Sequence, residues 1–433
     1  RNNPTRIRAN SVETTTCPEG RTLQLNRRSG AMETSVTLER AIELACRAPF
    51  TRYTEWVSLA EAADRVLATD LASKVDDPRF DNSAMDGWAV RADDCASLGT
   101  SLRIVGTSQA GTNQSLRVGE GEACRIMTGA PVPEGADAIV MIEDSTTDDG
   151  NTIVNGPARL GYIRRRGENL REGDTALLSG TQLTPAALSL AATMGYGEVE
   201  VIAKPNISVI SVGDELVSPG NPLIEGAIYE SNTFGIASLV ERMGGRAQRF
   251  ESIQDSMDDL RAALDEAAAT CDAILTSGGV SMGQWDFVRR IMEEEGEALF
   301  WRVRMRPGGP PLFGLWKGTP LFALPGNPVS SHVVFTVLVA PWMSSCMGAH
   351  EELGPRLASR VRVVLENPLK GAPGKLCLRR ISIRSEGDSL LASTHTHQGS
   401  GNIHSMVAHN GLSLLAPDTD ANEGEVIDAL WLR

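Results

Sequence analysis

From residue 205 onward the chain alternates between two textures. Apolar runs of four to six residues, at 207–212, 273–276 and 320–324, are each followed by a glycine-rich or acidic turn. Segments with helical spacing lie between and after them, at 232–243, 258–271, 287–295 and 330–339. In 258–271, for example, Leu260, Leu264, Ala267 and Cys271 fall on one stripe. Strands this apolar, alternating with helices, predict a parallel sheet covered on both faces. Upstream, Leu38, Ile42 and Leu44 or Ala45 share a face in 37–48, and Leu59, Ala62, Ala63 and Val66 share one in 58–72, which predicts two helices. Short β-like runs at 102–105, 123–127, 138–142 and 152–154, separated by Gly and Pro, predict a small β domain. A helix at 185–194 starts with Pro185, where the missing N–H costs nothing, and a strand follows at 197–202. From residue 354 the pattern is all β, with runs at 361–365, 376–383, 390–394, 412–415 and 426–432 spaced as in a small barrel or sandwich.

Composition narrows the function. At 433 residues the chain is long enough for about three domains. Its net charge of −14 excludes a non-specific nucleic-acid binder, which needs a basic surface. The longest apolar stretch, 333–343, is broken by Thr336 and Pro341 and falls short of the ~20 residues of a membrane span. No two of the seven cysteines lie within three residues of each other, which reads as reduced thiols in a cytosolic protein. All six histidines lie at or beyond residue 332. A site built upstream must therefore use carboxylates, hydroxyls, Lys/Arg and backbone amides. Residues 1–31 hold six Arg and two Glu and read as an extension outside the fold.

Three turns that follow strands carry the candidate chemistry: GDEL (213–216), SGGVSMG (277–283) and PGNPVS (325–330). In an open parallel sheet, ligands bind beyond the carboxyl ends of the strands. Glycine lets backbone approach an anion, and helix N-termini offer free N–H groups. These loops, with Ser277, Ser281 and Ser330, predict a phosphate-bearing or otherwise anionic ligand. Asp214, Glu215, Asp255 and Asp286 lie on or beside the same loops, and carboxylates next to a phosphate site suit hydrated Mg²⁺. Asp286 also fits a plain helix-start charge, and Ser256 with Asp259 reads as a capping box. DNSAMDG (81–87) and the Thr128 turn are dense turn signatures. The Arg164–Arg166 triplet is either a solvated face or an anion clamp.

Taken together, DNSAMDGWAV, RIMTGAPVPEGADAIV, IRRRGE, SVGDEL, TSGGVSMGQWDF, RPGGPP, LPGNPVS and THQGS resemble the molybdopterin molybdenumtransferase family. That family comprises the MoeA-type molybdenum insertases and the plant insertase and gephyrin E domains. The motifs stand in the family's order and cover residues ~35–433. The resemblance implies insertion of molybdate into adenylylated molybdopterin with Mg²⁺-dependent release of AMP, giving the molybdenum cofactor. It implies a cytoplasmic homodimer whose partners are these small molecules and other cofactor-biosynthesis proteins. The implied architecture is a split linker domain (32–80 and 165–204), a β-rich domain (81–164), a molybdopterin-binding α/β domain (205–347) and a C-terminal β-barrel (348–433). By motif, Asp86, Thr128, Glu215, Asp255 and Asp286 match functional positions, with Glu215 and Asp286 as metal ligands. Ser277, Gly278, Gly279 and Ser281 match the pterin-phosphate loop, and Pro325, Gly326, Asn327 and Pro328 its neighbour. Arg306, Pro307 and Pro310 match the family's KPGKP, and Arg380 and Ser400 match a region thought to receive molybdate.

Departures from the family pattern bear on charge. KPGKP reads Arg306-Pro307-Gly308-Gly309-Pro310, so Gly309 replaces the second Lys; Arg304 or Arg379 is a candidate substitute. GED reads Gly167-Glu168-Asn169, RDD reads Gln254-Asp255-Ser256, and the usual Tyr of DGYAV is Trp88. Gly309 and Asn169 keep one alternative open, a non-catalytic molybdopterin-binding or scaffolding paralogue.

Overall fold

The computed structural model describes residues 32–111, 115–280, 286–394 and 397–432. Its central feature is a seven-stranded sheet in the order Glu33–Val36, Glu297–Val303, Leu312–Trp316, Thr319–Leu324, Ala273–Ser277, Asn206–Ser211, Arg246–Arg249. The last four strands pair in parallel, as the apolar runs predict. Leu312–Trp316 is antiparallel to both neighbours, so the sheet is mixed. Residues of Ala273–Ser277 are buried throughout because helices cover both faces. Asn232–Arg242 and the helix from Pro328 pack on one face, and Met257–Thr270 with Phe287–Glu294 on the other.

The helical stretch Pro328–Cys346 spans 19 residues with a mean hydropathy of 1.3, and 72% of that window is buried inside the molecule. Its apolar character thus serves the core. A π-helical turn, Phe335–Val339, interrupts it just before Pro341, whose ring removes a backbone donor.

The β-rich region is a six-stranded sheet in the order Ala138–Met141, Gly87–Val90, Glu122–Ile126, Thr100–Ser108, Asn151–Val154, Ser145–Asp148. A separate small core joins two distant stretches of chain: Ala62, Leu67 and Leu71 pack with Leu177, Leu183, Ala191 and Val199. Here the structure corrects the helix expected at 58–72. Only Leu59–Glu61 makes a 3-10 turn, and Asp64 adopts a left-handed φ of 60°. Val66 and Leu67 bridge to Gln182 and Val201, and Leu71–Ala72 pairs with Thr175–Leu177.

At the C-terminal end, Ala358–Leu365, Ser389–Ser393, Arg380–Glu386, Gly411–Ser413 and Val426–Leu432 close into a barrel. The strand expected at 376–383 is divided. Leu376–Cys377 leaves the barrel to pair in parallel with Met305–Arg306, and the barrel strand starts at Arg380. None of the six described cysteines is in a disulfide.

Candidate active site

The ends of the parallel strands build a glycine-lined floor. Gly278 has φ +98°, and a Cβ there would lie 2.4 Å from the Val212 carbonyl oxygen. Gly279 has φ +68°, and its Cβ would meet Val288 at 2.9 Å. A side chain at Gly278 would require backbone movement, and one at Gly279 would displace the Val288 side chain as well as straining the left-handed backbone. Gly278 N–H donates to the Leu324 carbonyl at 3.1 Å. Asn232, absent from the sequence-based set, donates through Nδ2 to Ser277 Oγ at 2.8 Å and to the Gly326 carbonyl at 2.7 Å. It therefore pins the Ser277–Gly279 turn to the 325–328 turn. Its position at the start of helix Asn232–Arg242 disguised it as an ordinary helix-start residue. Ser281 lies outside the described residues.

Carboxylates gather beside this floor. The Glu215 side chain folds over Gly213, where a Cβ would come within 2.5 Å of Glu215 Oε2. Asp214 Oδ1 accepts the Asp255 N–H at 2.9 Å. Asp286 stands at the N-cap of Phe287–Glu294, yet its side chain makes no capping hydrogen bond. Ser256 does cap, accepting the Asp259 N–H at 3.3 Å. Burial, followed by the charges of Asp214, Glu215 and Asp286, pushes the Asp255 carboxyl above its ordinary value. Among the described residues, no three His, Cys, Asp or Glu side chains close on a point as a complete metal cage. Mg²⁺ needs no such cage, since it keeps waters and takes substrate oxygens alongside one or two carboxylates.

A second site of opposite character opens between the sheet and the barrel. It is a cleft of about 650 Å³ lined by Arg302, Arg304, Arg306, Lys375, Arg379 and Arg380, with no carboxylate among its lining residues. Pro307, Pro310, Asn327 and Ser400 share these walls, while Pro325, Gly326 and Pro328 flank Asn327 on its turn. Ser400 is bound to that turn through its carbonyl, which accepts the Val329 N–H at 3.1 Å. Arg380 is 1% exposed; its Nε donates to Ser405 Oγ at 3.1 Å and its Nη2 to the Gly399 carbonyl at 3.2 Å. Burial and the neighbouring Arg379 lower its pKa to about 10. Arg302, Lys375 and Gln398 were not among the candidates read from the sequence. For Arg302 the alternation in RVRMR was the available signal.

Asp86 and Thr128 sit apart, in the β-rich region. Asp86 Oδ1 accepts both the Thr128 N–H, at 2.6 Å, and its hydroxyl, at 3.0 Å. These two bonds hold the Asp86 carboxyl below the usual carboxylate range. Arg125 ties the two loops together from behind, donating to the carbonyls of Gly87 at 2.7 Å and Ile126 at 3.2 Å. Phe80, Met85 and Met127 are exposed around the pair. Neither Asp86 nor Thr128 lines the cationic cleft. The Arg triplet is largely neutralised: Arg165 pairs with Asp81 at 2.6 Å, and Arg166 pairs with Asp76. This favours the structural reading of the triplet over an anion clamp.

Three family profiles match the chain. They are the MoeA N-terminal region (domain I and II) at residues 36–195, a probable molybdopterin binding domain at 208–345, and the MoeA C-terminal region (domain IV) at 362–432. The molybdopterin molybdenumtransferase of Haemophilus influenzae is 38% identical over 334 residues, 77% of this chain and 82% of that protein. The chain belongs to the molybdopterin molybdenumtransferase family. The molybdopterin molybdenumtransferase of Bacillus subtilis is 32% identical over 411 residues, 92% of this chain and 95% of that protein. The structure of a molybdopterin biosynthesis MoeA protein from Pyrococcus horikoshii matches with a TM-score of 0.75 and 29% identity, over 92% of this chain and 99% of that one. This member of the family is thus an enzyme of molybdenum cofactor biosynthesis with a MoeA-type multidomain fold.

The molybdenumtransferase motifs that depart from the family pattern have local explanations. Asn169 Nδ2 donates to Asp77 Oδ2 at 3.1 Å, a bond that an ionised Asp could not make. Trp88 is buried, with Nε1 donating to Ser145 Oγ at 2.8 Å. Gly309 lies in the cationic cleft among the six guanidinium and ammonium groups, so the cleft retains positive charge without a Lys there.

Proposed function

We propose that this chain inserts molybdate into the dithiolene of adenylylated molybdopterin and releases AMP in a Mg²⁺-dependent step. The observation that carries the reading is the juxtaposition, along the carboxyl edge of one sheet, of a carboxylate cluster and an anion-attracting cleft. Ser277, Gly278, Gly279 and Ser281, with Pro325, Gly326, Asn327 and Pro328, cradle the pterin phosphate; Pro325 and Pro328 carry no N–H and shape their turn, and the Gly278 N–H is engaged by the Leu324 carbonyl. Arg306, Pro307 and Pro310, with Arg380 and Ser400, receive molybdate. Glu215 and Asp286 hold Mg²⁺, aided by Asp255, and the ion neutralises the charge of the pyrophosphate.

The chemistry asks little of the protein as a nucleophile. Water cleaves the phosphoanhydride; AMP leaves with one phosphate and the pterin keeps the other. The two thiols form two Mo–S bonds, and one molybdate oxide departs as water with the two thiol protons. The chain's work is to position two anions and shield their charge, which suits a region without histidine.

In this reading the enzyme is a cytoplasmic homodimer. Asp86 and Thr128 reach the α/β site of the second copy, and the exposed Phe80, Met85 and Met127 support a protein contact around them. The domains divide at 32–80 with 165–204, 81–164, 205–347 and 348–433. The test combines purified chain, adenylylated molybdopterin, Mg²⁺ and molybdate, and follows AMP release and activation of a molybdenum-free apo-enzyme. Molybdate-dependent AMP release with active cofactor supports the insertase. Tight pterin binding without AMP release at high molybdate overturns it in favour of a binding paralogue.

A further inference from the structure

All six strands of the β-rich sheet lie between Gly87 and Val154, so the chain enters that sheet once and leaves it once. Both passages are anchored in the same small core, at Leu71 on the way in and at Leu177 on the way out. They are bonded to each other along their length. Asn82–Ser83 pairs antiparallel with Ile163–Arg164. Gly167 N–H donates to the Pro78 carbonyl at 2.9 Å, and the Asn169 and Leu170 N–H groups donate to the Asp77 carbonyl at 3.0 and 3.1 Å. A two-stranded ribbon is marginal by itself. Side chains reinforce this one, with charge sorted by strand: Asp76, Asp77 and Asp81 on the way in, the Arg164–Arg166 triplet on the way out. Asp81 Oδ1 accepts the Arg166 N–H at 2.8 Å, and its Oδ2 accepts Arg165 Nη1 at 2.6 Å. Asp76 Oδ1 accepts the Glu172 N–H at 2.9 Å, and its other oxygen pairs with Arg166 Nε. An isolated exposed ion pair contributes little. Here each carboxylate also takes a main-chain N–H from the opposite strand, so charge-assisted bonds tie backbone to backbone.

The same segment carries the Asp86–Thr128 pair. The Asp81 carbonyl accepts the Val132 N–H at 2.9 Å. Ser83 accepts the Gly129 N–H at 2.8 Å and donates its own to the Ala130 carbonyl at 3.0 Å. One unbroken series of bonds therefore runs from the arginines, through Asp81–Ser83, to the turn whose Thr128 holds Asp86. We propose that Asp81, Arg165 and Arg166 are positioning residues that fix the direction in which the β-rich region presents Asp86 and Thr128. None of the three lines the cationic cleft, and none needs to touch a reacting atom. The proposal rests on the functional reading of Asp86 and Thr128 given above. Rates are sensitive to such placement, since a displacement of about 1 Å costs up to about 10²-fold.

Spin labels at Thr147→Cys, on strand Ser145–Asp148, and Thr193→Cys, on helix Pro185–Thr193, read the orientation without substrate. They are placed in a Cys17→Ser/Cys46→Ser background and diluted into unlabelled chain. Asp81→Asn is expected to widen the distance distribution and to slow AMP release about tenfold, with KM for adenylylated molybdopterin within about twofold of wild type. Arg165→Gln/Arg166→Gln, whose side chains are exposed and do not threaten folding, is expected to act in the same direction. Arg165→Lys, which keeps the charge facing Asp81, is expected to stay near wild type in both readouts. An unchanged distribution in Asp81→Asn and in the double variant would overturn the proposal. A raised KM with unchanged kcat would overturn it in favour of direct substrate binding by the arginines. A widened distribution with wild-type AMP release would overturn it too, and Asp86→Asn, assayed in parallel, locates that failure: full release there as well means that the functional reading of Asp86 has failed. With no AMP release from wild type, the insertase reading fails and the label distances alone decide the strap.

Discussion

Two regions along one sheet edge handle charge in opposite ways. The turns after the parallel strands collect Asp214, Glu215, Asp255 and Asp286, and burial, followed by the charges of the other three, pushes the Asp255 carboxyl upward. The cleft against the barrel collects six cations and no acid among the described residues. The cleft's positive charge attracts an oxyanion. The strand ends repel one unless a divalent cation lies between. Charge of one sign selects the ligand, and charge of the other sign selects the ion that accompanies it.

The sharpest way to break the contrast is to remove the acids. Glu215→Gln with Asp286→Asn is expected to slow AMP release by roughly 10²–10³-fold, measured under saturating substrate and Mg²⁺, while the protein stays folded because repulsion is relieved. Next in size, Arg380→Gln is expected to weaken molybdate binding by about 30-fold, seen in dialysis or as a raised molybdate requirement for AMP release.

Smaller still is a pH effect at Asp255. A carboxyl whose folded pKa is raised holds its proton longer in the native state than in the unfolded chain. Stability therefore falls as pH rises through the window between the ordinary aspartate value and the raised one, and the loss is complete above it. Carboxyls held low, such as Asp76 and Asp86, contribute the opposite slope, so the Asp255 effect is read as a difference. In thermal unfolding from pH 3 to 8, the midpoint of Asp255→Asn is expected to gain on that of wild type as pH rises through this window. Mg²⁺ at neutral pH is expected to raise the wild-type midpoint more than the variant's. The smallest effect is expected at Gly309→Lys. A Cβ there stands 3.2 Å from the Met305 carbonyl oxygen, so the side chain can be accommodated with a slight shift. With six cations already in place, molybdate affinity should change by less than about threefold; a much larger gain would mean that the existing arginines do not substitute for the family Lys.

The sequence revealed these regions unevenly. The parallel strands, their glycine turns and the acids beside them were legible because each is local: an apolar run, a turn, a helix start. The error at 58–72 was also local in origin. Leu59, Ala62, Ala63 and Val66 have helical spacing, but Val66, Leu67 and Leu71–Ala72 pair with Gln182, Val201 and Thr175–Leu177, more than 100 residues away, and Asp64 turns left-handed just before them. The strands Glu297–Val303 and Leu312–Trp316 were hidden because turn-forming Pro and Gly separate them, and because pairing with each other and with Glu33–Val36 defines them. The cleft depends on chain from both ends, Ser35 on one side and Lys375 and Arg379 on the other. No spacing rule brings those residues together.

The short parallel pairing of Met305–Arg306 with Leu376–Cys377 has a kinetic consequence. Main-chain bonds join the two walls of the cleft, so its aperture is set when the chain folds, and widening it would break those bonds. In the function proposed above, oxyanions arrive by diffusion into a fixed funnel of positive potential. Their capture rate should drop steeply as ionic strength shortens the reach of that potential, to about 8 Å in physiological salt, while their escape rate should hardly respond.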